Sequence, residues 1–139
     1  MKIMGIDLGK ARTGVCVSDL SGFLAGRSIT IAEHNRQRLL EAICSEIEKE
    51  KPGRIVVGLA LNMNGTEGPR CERVRAFAGI VAEESGLPVE LFDERLTTVS
   101  AHRFLSDTGV NSKKRKNSVD ELSATLILQD YLDRNRNKS

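Results

Sequence analysis

Asp7, Glu94 and Asp120 are the residues whose type and setting point to chemistry, because each acid stands at the rim of an apolar segment. Asp7 closes the run Ile3-Met4-Gly5-Ile6 and is followed by Gly9. Its carboxylate therefore belongs at a strand end, where open α/β sheets present ligand-binding groups. Taken alone, an aspartate that bonds its own turn accounts for it equally well. Glu94 follows the run Val89 to Phe92 and stands beside Asp93. Successive strand residues face opposite ways, so one of the two acids reaches the side on which Asp7 emerges. Glu94 is the choice, and Asp93 is left to solvent or to Arg95. Asp120 shares a helical face with Ala124, Ile127, Leu128 and Tyr131. Ser118 and Glu121 have the spacing of a capping box, which accounts for Glu121. Asp120 instead heads a buried stripe, where a charge is costly unless a cation meets it.

Carboxylates gathered at one end of a sheet repel each other unless a cation neutralises them, and oxygen-only ligation with open positions suits Mg²⁺ or Mn²⁺. A phosphodiester would complete such a site. Two ions roughly 4 Å apart can promote in-line displacement by water, so hydrolysis needs neither a His nor a Cys nucleophile. His34 and His102 sit in no motif and are expected at the surface. The cysteines, Cys16, Cys44 and Cys71, are odd in number and include no C-x-x-C pair. They suggest neither a disulfide framework nor a zinc site, and they fit a reducing cytosol.

A net charge of +2 announces no nucleic-acid partner by itself, so placement must decide. Lys113, Lys114, Arg115 and Lys116 are consecutive cations just ahead of the Asp120 helix. Lys10 and Arg12 follow Asp7, Arg95 follows Glu94, and Arg70 and Arg73 open a helix at Pro69, where backbone N–H groups also favour anions. A basic run alone is as readily a solvated loop; beside an acidic site it suits a phosphate backbone. With four Phe, one Tyr and no Trp, base stacking is no evident source of affinity, and phosphate contacts should dominate.

The elements that must position these residues follow from periodicity. Lys2 to Leu8, Thr13 to Ser18 and Phe23 to Ile31 read as strands joined by short polar turns, hence antiparallel. Asn35 to Lys51 carries Leu39, Leu40, Ile43 and Ile47 at helical spacing. Arg54 to Leu59 reads as a strand buried on both faces, Pro69 to Gly86 as a helix, and Val89 to Phe92 as a fifth strand. Further helices are expected from about Thr98 to Asp107 and around Asp120. The order β-β-β-α-β-α-β-α with another helix gives an α/β fold. Its five-stranded mixed sheet has three antiparallel strands plus two parallel ones, is flanked by helices, and follows the ribonuclease H-like order. A chain of 139 residues suits one domain, 1–139. A basic mobile loop is expected at about 110–118 and a flexible tail at about 134–139. No apolar run approaches membrane-spanning length, and Asp7 interrupts any signal-like start.

Four strings carry a resemblance to a known family: Gly5-Ile6-Asp7-Leu8-Gly9, Val57-Gly58-Leu59-Ala60-Leu61-Asn62-Met63-Asn64-Gly65-Thr66-Glu67-Gly68, Asp93-Glu94-Arg95-Leu96-Thr97-Thr98 and Val119-Asp120-Glu121-Leu122-Ser123-Ala124. Together they resemble YqgF proteins, the RuvX-like family of pre-16S rRNA nucleases and Holliday junction resolvases, over nearly the whole chain. The resemblance implies a ribonuclease H-like fold related to RuvC resolvases, with Asp7, Glu94 and Asp120 matching the family's catalytic acids. It also implies a role in maturing the precursor of small-subunit rRNA, junction resolution being the older reading. The chain departs from the family at Ala60, at Asn64 and in the Lys10-Ala11-Arg12 string. RuvC-like relatives carry a glutamate on the fourth strand, whereas Arg54 to Leu61 has no carboxylate. Glu94 must then reach across from the next strand, about 4.8 Å away, and the site holds one ion or two.

A different class of function also fits the basic loop, that of a non-catalytic RNA-binding factor in ribosome assembly. An actin-like phosphotransferase shares the Asp7 hairpin but needs a second such domain. The expected partner is nucleic acid, either precursor rRNA or branched DNA, with no membrane, and the protein would act as a monomer or as a homodimer matching a two-fold junction.

Overall fold

Aliphatic runs pair into one mixed sheet in the computed structural model, which describes residues 1–61, 64–94 and 123–135. The strands are β1 (Ile3–Asp7), β2 (Arg12–Ser18), β3 (Ala25–Ala32), β4 (Arg54–Leu59) and β5 (Val89–Asp93). Helix α1 (Arg36–Glu50) connects β3 to β4, and α2 (Pro69–Ser85) connects β4 to β5. A C-terminal helix occupies 123–135. The sheet order is β3-β2-β1-β4-β5. β2 is antiparallel to both β1 and β3, while β4 is parallel to both β1 and β5. Connection type dictates these directions: short turns reverse the chain, whereas α1 and α2 carry it back across the sheet. Three antiparallel strands thus extend into two parallel ones, as the element order predicts.

Local chemistry ends each helix where the sequence suggests. The Asn35 side chain caps α1 by accepting the Arg38 N–H at 3.0 Å. Lys51 closes it in the left-handed conformation, φ 52°, donating its N–H to the Ile47 carbonyl. Pro69 opens α2, where its missing N–H costs nothing, and Gly86 ends it at φ 70°. The third strand begins later than the sequence suggests. Asp19 Oδ1 accepts the N–H of Phe23 at 3.0 Å and of Leu24 at 3.4 Å, and the Asp19 N–H donates to the Leu24 carbonyl. These bonds hold 19–24 as a closed loop and leave Phe23 and Leu24 exposed. The helix expected from Thr98 to Asp107 lies outside the described residues.

Both faces of the sheet are covered, so β1 is buried along its whole length and β4 over all but its first residue. On one face Met4, Ile6, Val15, Ile55 and Val57 pack with Leu39 and Ile43 of α1 and Val74, Phe77 and Val81 of α2. On the other, Ile3, Cys16, Val56 and Phe92 pack with Ala124, Ile127, Leu128 and Tyr131 of the C-terminal helix. That helix seats closely because Gly5 has no side chain: a Cβ there would lie 2.9 Å from the Leu128 Cβ. The far end is tied by Tyr131, whose hydroxyl donates to the Glu90 carboxylate and accepts from Arg54 at 3.0 Å. The ring meets Phe92 edge-on at 6.0 Å. The helix therefore runs antiparallel to β1, its described start nearest the end where Asp7 stands.

Candidate functional site

Strand alternation determines which way the acids face. Gly5 lies beneath the C-terminal helix, and Asp7 is two residues further along β1, on the same face. Phe92 packs under that helix, and Glu94 follows it by two residues. Asp7 and Glu94 are each 3% exposed, an unusual condition for carboxylates, and both engage further groups. Asp93 is only half-buried.

β4 separates the two acids in the sheet, and two strand spacings amount to about 10 Å. Glu94 crosses part of that gap over Gly58. A Cβ built on Gly58 would lie 3.3 Å from the Glu94 Cγ, 3.4 Å from its Cδ and 2.6 Å from the Ile127 Cδ1. The β1–β4 register pairs Ile6 with Val57, so the next step sets Asp7 level with Gly58. The fourth strand thus supplies space instead of a carboxylate, and the acid of the next strand uses it. Two buried carboxylates at one end of the sheet, one of them extending over Gly58, are the kind of oxygen donor that a hard divalent cation takes. Among the described residues no group of three or more His, Cys, Asp or Glu gathers into a metal site. Asp120, the third acid of the sequence reading, lies outside them, as do Arg95, Lys113, Lys114, Arg115 and Lys116.

The nearer cations sit on the opposite side of the same sheet end. Lys10, Arg70 and Arg73 line a cavity of about 220 Å³ floored by Leu8 and Val74, and Arg36 of α1 joins them. Arg70 donates to the Leu8 carbonyl at 3.3 Å, and the Arg36 guanidinium lies 5.7 Å above the Phe77 ring. Arg12 does not line this notch; it opens β2 opposite Ala32. Sequence reasoning missed Arg36 and Gly58. An arginine at the first position of a helix with no acid in its first turn was the available signal for Arg36. Cys16 and Cys44 are poorly suited to nucleophilic chemistry, since burial pushes both thiols above their ordinary range.

Residues 1–134 match the RuvX family, described as Holliday junction resolvase. The chain belongs to that family. RuvX relatives include a protein of Thermoanaerobacter pseudethanolicus, 44% identical over 139 residues that cover 99% of this chain and 100% of that one. Another, from Moorella thermoacetica, is 45% identical over 134 residues covering 96% of each. Both carry the name "Putative pre-16S rRNA nuclease". Among solved structures, RuvC of Thermus thermophilus in complex with a Holliday junction substrate superimposes with a TM-score of 0.64 at 12% identity, covering 100% of this chain and 98% of that one. That likeness places the RuvX chain in the ribonuclease H-like fold. No helix among the described residues is long and apolar enough to cross a membrane.

Proposed function

We propose that this chain is a metal-dependent nuclease that hydrolyses phosphodiester bonds in structured nucleic acid, with precursor small-subunit rRNA as its substrate in the cytoplasm. One observation carries the reading: Asp7 at the end of β1 and Glu94 just beyond β5 are both buried, and the Glu94 side chain lies over Gly58 of the intervening strand, which has no side chain to block it. Burying two like charges near one end of a sheet costs free energy, and a bound cation would lower that cost. Asp7 and Glu94 would hold Mg²⁺ or Mn²⁺, and Asp120 would join them. What supports Asp120 is the direction of the C-terminal helix, whose start lies at the acid end, together with its spacing one turn ahead of Ala124. When bound, the ion supplies Lewis-acid stabilisation of the phosphoryl oxygens and a more acidic water.

The chain's own part is placement. Burial of both carboxylates would hold them in place before substrate arrives, so little reorganisation would remain. Lys10, Arg12, Arg70 and Arg73, with Arg95 and Lys113 to Lys116, draw the phosphate backbone toward the site and align it. We take 1–139 as one nuclease domain. A monomer suits RNA processing, and a homodimer suits a two-fold junction.

The alternative, a non-catalytic RNA-binding assembly factor, keeps the cations and gives the acids no task. The assay that separates them offers precursor rRNA, single-stranded RNA and a four-way DNA junction to the protein with Mn²⁺. The nuclease reading expects cleavage, greatest on precursor rRNA, that Asp7→Asn abolishes while RNA affinity stays level or rises. Equal activity in parent and D7N, traceable to contamination, would favour the binding-only reading.

A further inference from the structure

The notch of Lys10, Arg36, Arg70 and Arg73 has a charge pattern that the fold does not need. Three arginines elsewhere are paired with acids, Arg27 with Glu46 and Glu50, Arg54 with Glu90 and Arg75 with Glu67, while Arg12 and Arg38 form no ion pair among the described residues. None of the notch's four cations forms an ion pair among the described residues. Their location adds to the charge. Helix N-termini carry partial positive charge and favour acids, yet α1 opens on Arg36 and Arg38 with no acid in its first turn. α2 opens on Arg70 and Arg73 around the single acid Glu72, and its N-cap, Gly68, offers no side-chain acceptor. Two helix starts and four exposed cations therefore converge on one concavity, an arrangement that favours an anion there. The cavity, about 220 Å³, is several times the ~30 Å³ share of a water molecule, so a phosphate group fits.

We infer that this notch seats a backbone phosphate of the bound nucleic-acid strand, one other than the phosphate being cleaved, with Arg36 as a contact alongside Lys10, Arg70 and Arg73. The inference rests on the nucleic-acid reading above and extends it. Its floor residues, Leu8 and Val74, belong to the core beneath α1 and α2, whereas Asp7 and Glu94 lie on the opposite face. Lys10 follows Asp7 by three residues, so their Cα atoms are at most about 11 Å apart. A strand laid across the sheet end then meets the acids with one phosphate and the notch with a neighbour. Arg36 is steadied by the Phe77 ring and Arg70 by the Leu8 carbonyl. Each contact restrains a guanidinium group, which would lower the entropic cost of gripping the strand.

The test measures binding of the full-length protein to a short 5′-hydroxyl single-stranded RNA in EDTA, by fluorescence anisotropy across a salt series. Parent, Arg36→Glu/Arg73→Glu, the single variants R36Q and R73Q, and Lys49→Gln as a remote control are compared. We expect the double reversal to raise Kd at least tenfold and to flatten the slope of log K against log salt by about 0.7 for each phosphate that is no longer neutralised. R36Q and R73Q should fall between, and K49Q should match the parent. Thermal midpoints of the reversals should hold or rise, because acids suit helix starts, which separates weakened binding from weakened folding. Parent-like affinity and slope in R36E/R73E would overturn the inference. So would a preference for 5′-phosphorylated RNA that these variants abolish, which would make the notch a terminal-phosphate seat. If cleavage is never observed but the slope flattens as described, the notch stands and the hydrolytic reading falls. If cleavage is robust and the slope unmoved, the notch alone fails.

Discussion

The Glu94 side chain lies against the bare backbone of Gly58, its Cγ and Cδ 3.3 and 3.4 Å from where a Cβ would stand. A glycine on the strand between two acids is thus what leaves room for Glu94 to extend over β4.

Gly58→Ala should therefore lower cleavage more than it lowers stability. The added methyl meets Glu94 and also the Ile127 Cδ1 at 2.6 Å, an overpacking that costs about 1–3 kcal/mol. Ile127→Val removes that Cδ1 atom, so the double variant should recover much of the thermal midpoint without recovering the rate. Recovery of both would show that Gly58 serves packing alone.

Gly5→Ala tests the seating of the C-terminal helix. Its Cβ would lie 2.9 Å from the Leu128 Cβ and 3.4 Å from the Ala124 carbonyl oxygen, neighbours on or next to helix backbone that cannot swing aside. We expect a loss of about 1–3 kcal/mol, read as a fall of several degrees in thermal midpoint. An unchanged midpoint would mean that the helix moves away freely.

Much of this was legible in the sequence, and for identifiable reasons. Uninterrupted apolar runs gave β1 and β4, because strands covered on both faces need no polar alternation. Pro69 and Gly86 marked the ends of α2 by known helix-start and helix-stop chemistry. Alternation said that only one of Asp93 and Glu94 faces the side of Asp7 without saying which, and in the structure Glu94 is buried and Asp93 half-buried. What was not legible depends on distant pairs. Nothing local tells that Gly58 lies beneath Glu94, since the relation exists only once β4 and β5 are paired. Arg36 reads as an ordinary charged helix residue until α1 and α2 bring their starts to one notch. The Asp19 loop displaced the start of β3 because a side-chain acceptor competed with the ladder for the Phe23 and Leu24 N–H groups.

Acid stability should depend on Glu50. Its hydrogen bond from Lys2 at 3.1 Å, reinforced by Arg27, holds the carboxyl below the usual glutamate range. A depressed folded pKa adds stability above the unfolded value, about 4.3, and that stability is lost as pH falls through the lower folded value. Glu50→Gln should thus lower the thermal midpoint near neutrality and shrink the difference between parent and variant in acid. A difference independent of pH would remove the ion pairs from the explanation.

The central claim, that Asp7 and Glu94 jointly hold a divalent ion, is tested most directly by anomalous diffraction from crystals soaked in Mn²⁺. A manganese peak bridging the two carboxylates above Gly58, absent from Asp7→Asn crystals, is the predicted result. Well-ordered carboxylates with no peak between them, or a peak that persists unchanged in D7N, would contradict it.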